Sequence, residues 1–460
     1  MINSASSFCP FTWASLEFKH CNFNDARLTQ RCIKIAGTML QNHHESIPNA
    51  FAVWPDIKGT YRFFDNKKVV SKSIMSSHYK ETLLRSNKED TLLVLQDTTT
   101  INLSNRQIDG VGRIGMGTLQ GFFIHSALAT DTKGTPVGLL DQTIYVRKES
   151  TTDPLRQKIR KKLPIEEKET FRWKSSIEHV SSLAKNTNLV FVGDRESDIY
   201  DVFEIAHTRH VHVLVRTAWN RNDPQGDKLF DQAKNAEILG TYTTQVPVKN
   251  THDVRSATLT IRRCIFELIP SKVTGKKRPP IKLSILDVLE ENPPENAEQI
   301  HWLLSTSLVV NTIEEAKEKV TWYMYRWRIE RFHYILKTGA FEIEKMQFEQ
   351  FTRWEKVVSL FSVIAWKILW ILYESREEPD KKANSIFSRD EITILCAFNK
   401  KGQNTYTLGE ATIDMAKLGG FIGRKSDGSP GVKTLWRGFQ KLQFLVMGYK
   451  LASRKDVGKD

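Results

Sequence analysis

Apolar residues recur along this chain in three rhythms, and each predicts a different kind of element. From residue 24 to about 43 the rhythm is helical. Leu28, Cys32, Ile35 and Met39 fall on one face at about 100° per residue, and Asn24 and Asp25 are placed to cap the start. Arg27, Arg31 and Lys34 form a basic stripe beside that face. Residues 1–85 read as a small helical unit. From 91 to 216 the rhythm becomes short continuous apolar runs. Residues 91–96 (TLLVLQ) stop at Asp97, 121–130 and 137–146 are further strands, 189–193 (LVFVG) stop at Asp194, and 210–216 is another strand. Helices are predicted at 175–184 and 198–206, and the charge-dense stretch 147–174 reads as a loop or exposed helix. Continuous apolar strands separated by helices predict a sheet covered on both faces.

Residues 217–310 alternate apolar and polar positions between Pro, Gly and Lys, so a β-rich insertion is expected, with a basic turn at 272–278 and a closing strand at 301–307. Helix returns at the Thr312-x-x-Glu315 capping box and runs to about Lys337, with Gly339 as a stop. Residues 357–373 are the most apolar segment. It is shorter than the ~20 residues of a membrane-spanning helix and carries Lys367, which predicts a buried core helix. A polar linker (376–385) leads to three helices: one after the Ser388-x-x-Glu391 box, one at 408–418 and one at 432–452. The expected architecture is α/β, a mixed sheet flanked by helices, divided at 1–85, 86–375 and 376–460.

Composition sharpens the choice of partner. The 460 residues include 67 Lys and Arg against 53 Asp and Glu, a net charge of +14. Such an excess predicts a polyanionic partner, and without a membrane span that partner is nucleic acid. Five Cys without Cys-x-x-Cys spacing argue against a disulfide framework or a zinc site and favour a reducing, cytoplasmic setting. Residues 1–10 lack a basic region followed by an apolar run, so no export signal is expected.

The candidate chemistry sits where the strands stop. Ligands of α/β sheets bind outside the carboxyl ends of strands. If the strands before Asp97 and Asp194 are neighbours, their carboxylates crowd each other, and a hard cation such as Mg²⁺ relieves that. The alternative is that each Asp opens a turn or caps a helix. Glu196 and Asp198 compete with Asp194 as ligands, and Asp198 is better placed to cap the next helix. Tyr323, Arg326, Glu330, His333 and Lys337, spaced 3, 4, 3 and 4, fall within an arc of roughly 80° on the long helix. Val320, Trp327 and Tyr334 lie on the same side, so that face is expected to be partly buried. A Glu among cations beside an Asp pair suits phosphodiester chemistry, in which three carboxylates can hold two metal ions.

These residues resemble the cut-and-paste bacterial DDE transposases of the insertion-sequence family marked by Tyr-x2-Arg-x3-Glu-x6-Lys. Here that signature is Tyr323, Arg326, Glu330 and Lys337, within YRWRIERFHYILKTG. LQDTTT around Asp97, VGDRESDI around Asp194, NDARLTQR, GTYRFF, GFFIHSAL, HWLLSTS and AKLGGFIGRK also match, so the similarity spans nearly the whole chain. The resemblance implies an RNase H-like core in which Asp97, Asp194 and Glu330 ligate Mg²⁺ or Mn²⁺. It implies nicking at transposon ends, a hairpin intermediate and joining of 3′ ends to target DNA. Tyr323 and Arg326 would hold the phosphate of a flipped base, Trp302 would line its pocket, and Lys337 and Arg216 would contact DNA near the cut. Arg27, Arg31 and Arg62 of the N-terminal unit would bind the end. The partners implied are double-stranded DNA and a second copy of the chain, with no membrane and no small-molecule substrate. Leu435, Phe439, Leu442, Val446 and Tyr449 form a heptad seam that packs either on its own domain or, as the resemblance favours, across a dimer. Two rival readings remain: a DNA-binding regulator without catalysis, and a nuclease of the same fold without strand transfer.

Overall fold

The computed structural model describes residues 10–43, 45–115, 118–147, 163–185, 187–247, 254–270, 278–295, 297–400, 402, 406–424 and 427–454. Among the described residues five helices come first: α1 (Pro10–Phe18), α2 (Ala26–Gln41), α3 (Ile47–Ala50), α4 (Trp54–Asp65) and α5 (Ser71–Ser86). The Asp25 carboxylate accepts the Arg27 N–H at 3.0 Å, which starts α2 as its sequence predicts. Cys32, Ile35 and Met39 are buried on its inner face, and Leu28 is half-buried. The GTYRFF stretch lies in α4, where Phe63 and Phe64 turn inward and Arg62 stays exposed.

Ten strands form one sheet: β1 (Thr91–Asn102), β2 (Gly112–Arg113), β3 (Gln120–Thr130), β4 (Pro136–Tyr145), β5 (Asn188–Gly193), β6 (His212–Arg216), β7 (Glu237–Pro247), β8 (Val254–Leu268), β9 (Ile281–Glu291) and β10 (His301–Thr306). Their order is β2-β3-β1-β5-β6-β10-β9-β8-β7, with β4 also on β3. β4, β3 and β1 are antiparallel, whereas β1, β5 and β6 are parallel. That mixed sheet flanked by helices is the RNase H-like core. The 217–310 segment is β-rich, as its alternation predicts, and its strands extend the same sheet. β10 pairs antiparallel with β6, and β9, β8 and β7 continue the same sheet outward.

Both faces of the central strands are dry, which explains the continuous apolar runs. Leu93 and Leu95 of β1, with Val190 and Val192 of β5, join a first core shared with α11 (Phe351–Glu377). Leu92 and Val94, with Leu189 and Phe191, join a second core under α6 (Phe171–Leu183) and α7 (Tyr200–Thr208). α11 is long and apolar enough to cross a membrane by composition, but it is buried inside the molecule. Between β6 and β7 lies the short α8 (Leu229–Lys234).

The helix expected from 312 to 337 is interrupted. α9 (Ile313–Met324) begins at the Thr312–Glu315 capping box as predicted, and α10 (Trp327–Tyr334) follows a turn at Tyr325–Arg326. Arg326, Arg328 and Ile329 bond three residues back, so the backbone tightens there. It then widens into a π turn at Ile335–Gly339, closed by Ala340 N–H on Ile335 O.

The tail comprises α12 (Arg389–Asn399), α13 (Leu408–Leu418) and α14 (Val432–Arg454). Leu435, Phe439, Leu442 and Val446 are buried against the chain's own core, and only Tyr449 of the predicted seam is exposed. The seam is therefore spent within the subunit. The cause is a close approach of two helices. A Cβ on Gly438 would stand 1.8 Å from Met415 O, and one on Gly419 would stand 2.0 Å from Thr434 O. Most of the basic turn 272–278 lies outside the described residues; its last residue, Arg278, is paired with Asp201 at 3.0 Å.

Candidate active site

Asp97 does not end its strand. β1 continues to Asn102, and Asp97 lies opposite Ser126 of β3. What ends there is the parallel pairing with β5: the last matched pair is Leu95 with Val192. Two residues further along each chain are Asp97 and Asp194, so the carboxylates sit side by side where β1 and β5 part. Both continue the Leu93/Leu95 and Val190/Val192 face, the one that meets α10. Gly193 makes the turn after β5 possible, since a Cβ there would lie 2.2 Å from Ser197 Oγ.

Burial pushes the Asp194 carboxyl up from its ordinary value. The neighbouring charges of Asp97 and Glu196 add to this, against the Glu196 N–H and Arg326. Asp194 also caps the turn that follows, accepting the Glu196 N–H at 2.8 Å. The turn reading and the ligand reading thus hold together for one residue.

The competing acids have partners of their own. Glu196 is exposed and pairs with Arg172. Asp198 is fully buried and does not cap α7, whose first residue is preceded by Ile199 without a side-chain cap. It binds the loop after β6 instead, through Ala218 N–H at 2.7 Å and Arg221 Nη1 at 2.6 Å.

Arg326, just before α10, and His333 within it meet the Asp pair. Arg326 Nη2 donates to Glu330 Oε1 at 2.6 Å. The Arg326 Nε–H is buried without an acceptor among the described residues. Burial works against the charged form of this guanidinium, but Tyr323, Glu330 and Asp97 raise its pKa above the ordinary value. His333, which shares the helical spacing of Tyr323, Arg326, Glu330 and Lys337, lies against Asp97: Nδ1 is 3.4 Å from Oδ2, and Nε2 reaches Ser126 Oγ at 3.3 Å. That role had no signal beyond its helical spacing.

Tyr323 is buried, with its ring centroid 5.8 Å from that of Trp302 in an edge contact, which joins those two predicted residues. Lys337 stands apart from them. The π turn directs it to Glu344 at 3.5 Å, near the far end of β1, where Glu344 also accepts the Asn102 N–H. Arg216 donates to His301 O at 3.3 Å beside the site. Val320 is buried as expected, but Trp327 is 61% exposed and Tyr334 is also exposed, because the tightened turn rotates α10 relative to an ideal helix. In the N-terminal helices Arg31 and Lys34 both bind Asp56 of α4, at 2.9 and 2.7 Å, whereas Arg27 is exposed and, among the described residues, pairs with its own cap Asp25.

Among the described residues no three acid, His or Cys side chains converge closely enough to hold a metal as they stand. Glu330 is engaged by Arg326, and Asp97 by His333. The donor chemistry nevertheless fits a hard divalent cation: crowded carboxylate oxygens, one of them pushed towards its protonated form.

Residues 122–361 match the family described as transposase DDE domain, more than half of the chain. Residues 10–69 match transposase DNA-binding and residues 363–457 match the transposase Tn5 dimerisation domain. Asp194 and Glu330 fall inside the DDE match and Asp97 precedes it. Among solved structures, a piggyBac transposase synaptic complex with hairpin DNA has a TM-score of 0.41 at 10% identity, over 97% of this chain and 82% of that one. A likeness that weak adds nothing to the family match. With a DNA-binding segment, a DDE domain and a Tn5-type dimerisation segment in that order, the chain belongs to the DDE transposases.

Proposed function

We propose that this transposase cuts transposon ends through a hairpin intermediate and joins the freed 3′ ends to target DNA. Asp97, Asp194 and Glu330 serve as its metal-binding carboxylates. The observation that carries this is the neighbouring Asp pair beside Arg326, which binds Glu330 and whose buried Nε–H lacks an acceptor among the described residues. Mg²⁺, or Mn²⁺ in its place, would supply Lewis acidity and a lowered pKa for water or a 3′-hydroxyl.

The chain's own residues supply the rest. A phosphate of the bound end offers Arg326 an acceptor for its unsatisfied donor. As Arg326 turns to it, Glu330 is released towards the two aspartates. His333 keeps the Asp97 carboxylate oriented. Trp302, half-buried and backed edge-on by the buried Tyr323, forms an aromatic wall against which an extruded base can stack, offsetting part of the few kcal/mol that unstacking costs. Arg216 holds backbone on the β6 side. Lys337 reaches phosphate further along, past Asn102. Arg27 and Arg62, exposed on the N-terminal helices, contact the end directly, while Arg31 positions α4 through Asp56.

Two copies are needed to pair two ends. The dimer surface proposed is the outward face of α14, where Phe444, Met447 and Leu451 are exposed at helical spacing. It replaces the seam, which is buried within the subunit.

The test is incubation of purified protein and Mg²⁺ with DNA bounded by the terminal inverted repeats of its own gene. Hairpin-ended excised fragment and joined product are expected. Cleavage without joined product would support the nuclease reading, and binding without cleavage the regulator reading.

A further inference from the structure

On the opposite face of the sheet from the Trp302–Tyr323 wall, a cavity of about 590 Å³ opens beside Arg195, the residue after Asp194. It runs across the outer strands under α8, between the ends of β5 and β6 and the middle of β8. The sheet register sets its side: Leu303 packs with the second core, Trp302 with the first. Four cations line it: Arg195, Arg216, Lys234 and Arg262. Among the described residues none of the four has a carboxylate within ion-pairing distance. Of the two carboxylates in the wall, Asp287 sits across the ladder from Arg262 but is engaged by His301 Nε2 at 2.7 Å; Asp231 is exposed on α8. The cavity therefore carries uncompensated positive charge.

The loop leaving the cavity wall at Thr217 displays an indole. Trp219 is 62% exposed. Its backbone is fixed: the fully buried Asp198 accepts the N–H groups of Ala218 and Trp219 at 2.7 and 3.2 Å and pairs with Arg221 at 2.6 Å. The Asn220 side chain accepts the Phe230 N–H at 2.9 Å, which ties the loop to α8 in the cavity wall. A large aromatic held out on a rigid loop has already met the ordering cost of binding. Cations tracking a backbone beside an aromatic face are the parts of a single-strand platform.

We infer that Trp219 and this cavity form a second DNA contact, separate from the carboxylate site, which takes an unpaired base on the indole and its flanking phosphates on Arg195, Lys234 and Arg262, with Arg216 left to the site on the other face. The inference rests on the chain's acting on DNA. The strand could come from the transposon end or from target DNA, and the chemistry is the same.

The experiment uses full-length protein and labelled duplexes, fully paired or with a three-base bubble, in two arms: one carries the terminal repeat and the other is unrelated DNA. Wild type should prefer the bubble. Trp219→Ala should weaken bubble binding about tenfold, while Trp219→Phe retains most of it, because any aromatic face stacks. Replacing Lys234 and Arg262 by Gln should lower the salt slope of bubble binding by about two. Loss confined to the repeat-bearing arm assigns the strand to the end, and loss in the unrelated arm assigns it to target. Bubble preference unchanged in Trp219→Ala would overturn the inference, as would a change in the DNA-free protein's oligomeric state, which would make the loop a protein contact. Asp97→Ala should keep the preference whether or not cleavage is lost, so this result and that of the cleavage reading are separable.

Discussion

Arg326 and Glu330 stand one helical turn apart, and in DNA-free protein each occupies the other. The pair rests on one hydrogen bond from Nη2 to Oε1, which the stronger charge-assisted bonds of a phosphate can replace. Arg326→Ala should therefore leave end binding within a few-fold. It should slow cleavage by about 10²-fold or more, the usual cost of removing a donor aimed at developing charge. Single-turnover cleavage measured beside gel-shift affinity checks this, and equal losses in both would show a mere binding role. Asp97→Ala should abolish cleavage with binding intact, whereas Glu196→Gln should cost less than tenfold, because Glu196 is committed to Arg172. The ends of the apolar runs marked Asp97 and Asp194 as candidates in the sequence, and the end of the β1–β5 pairing sets them side by side. Spacing could not say which of Asp194, Glu196 and Asp198 faces the site, because that depends on the turn after Gly193 and on a loop more than twenty residues downstream.

Helices that looked continuous or free in the sequence are shaped by what they pack against. The tightened turn at Tyr325–Arg326 and the π turn at Ile335–Gly339 shift Trp327 outward and Lys337 towards Glu344. Ideal 100° stepping has no means of registering such changes. The heptad in α14 was legible as a buried stripe, but pattern alone does not name the surface that buries it. A second consequence of this packing is a pH dependence. Glu391 opens α12 in its capping box and meets Gln443 of α14, and burial pushes its carboxyl up to about 7 from 4.5. A carboxyl raised on folding binds its proton better in the folded state. Its contribution is thus fully present below about 4.5 and is lost as pH rises through about 7, a change of about 3 kcal/mol. Thermal melts should show the tail less stable at pH 8 than at pH 5.5. Glu391→Gln should flatten that difference, since an amide keeps the acceptor for the Ser388 N–H without the charge. A pH difference that persists in the variant would locate its origin elsewhere.

At the scale of the molecule, the three sequence segments are less independent than their composition suggests. The basic excess was legible, but much of it is spent internally: Arg31 and Lys34 on Asp56, Arg278 on Asp201, Arg147 on Glu169. The segments also share one core, which runs from Trp13 and Phe18 of α1 through Trp354 and Trp366 of α11 to Leu442 of α14. A buried polar network fastens it. Glu17 of α1 binds His78 at 2.5 Å and Arg85 at 2.8 Å, both from α5, and His78 Nε2 accepts the Leu139 N–H of β4. Burial alone would raise the Glu17 carboxyl, but Arg85 and His78 hold it down to about 2. Glu17→Ala would leave Arg85 buried without its carboxylate, a loss of about 3–5 kcal/mol. Because α1, α5, β4 and α11 meet in that network, the cost should fall on the whole chain and not on the N-terminal helices alone. Urea unfolding followed by tryptophan fluorescence and by far-ultraviolet circular dichroism should give one coincident transition, shifted to lower urea in Glu17→Ala with its slope unchanged. Two separated transitions, with only the first moved by the substitution, would show instead that the end-binding helices fold as an autonomous module that merely rests on the catalytic sheet.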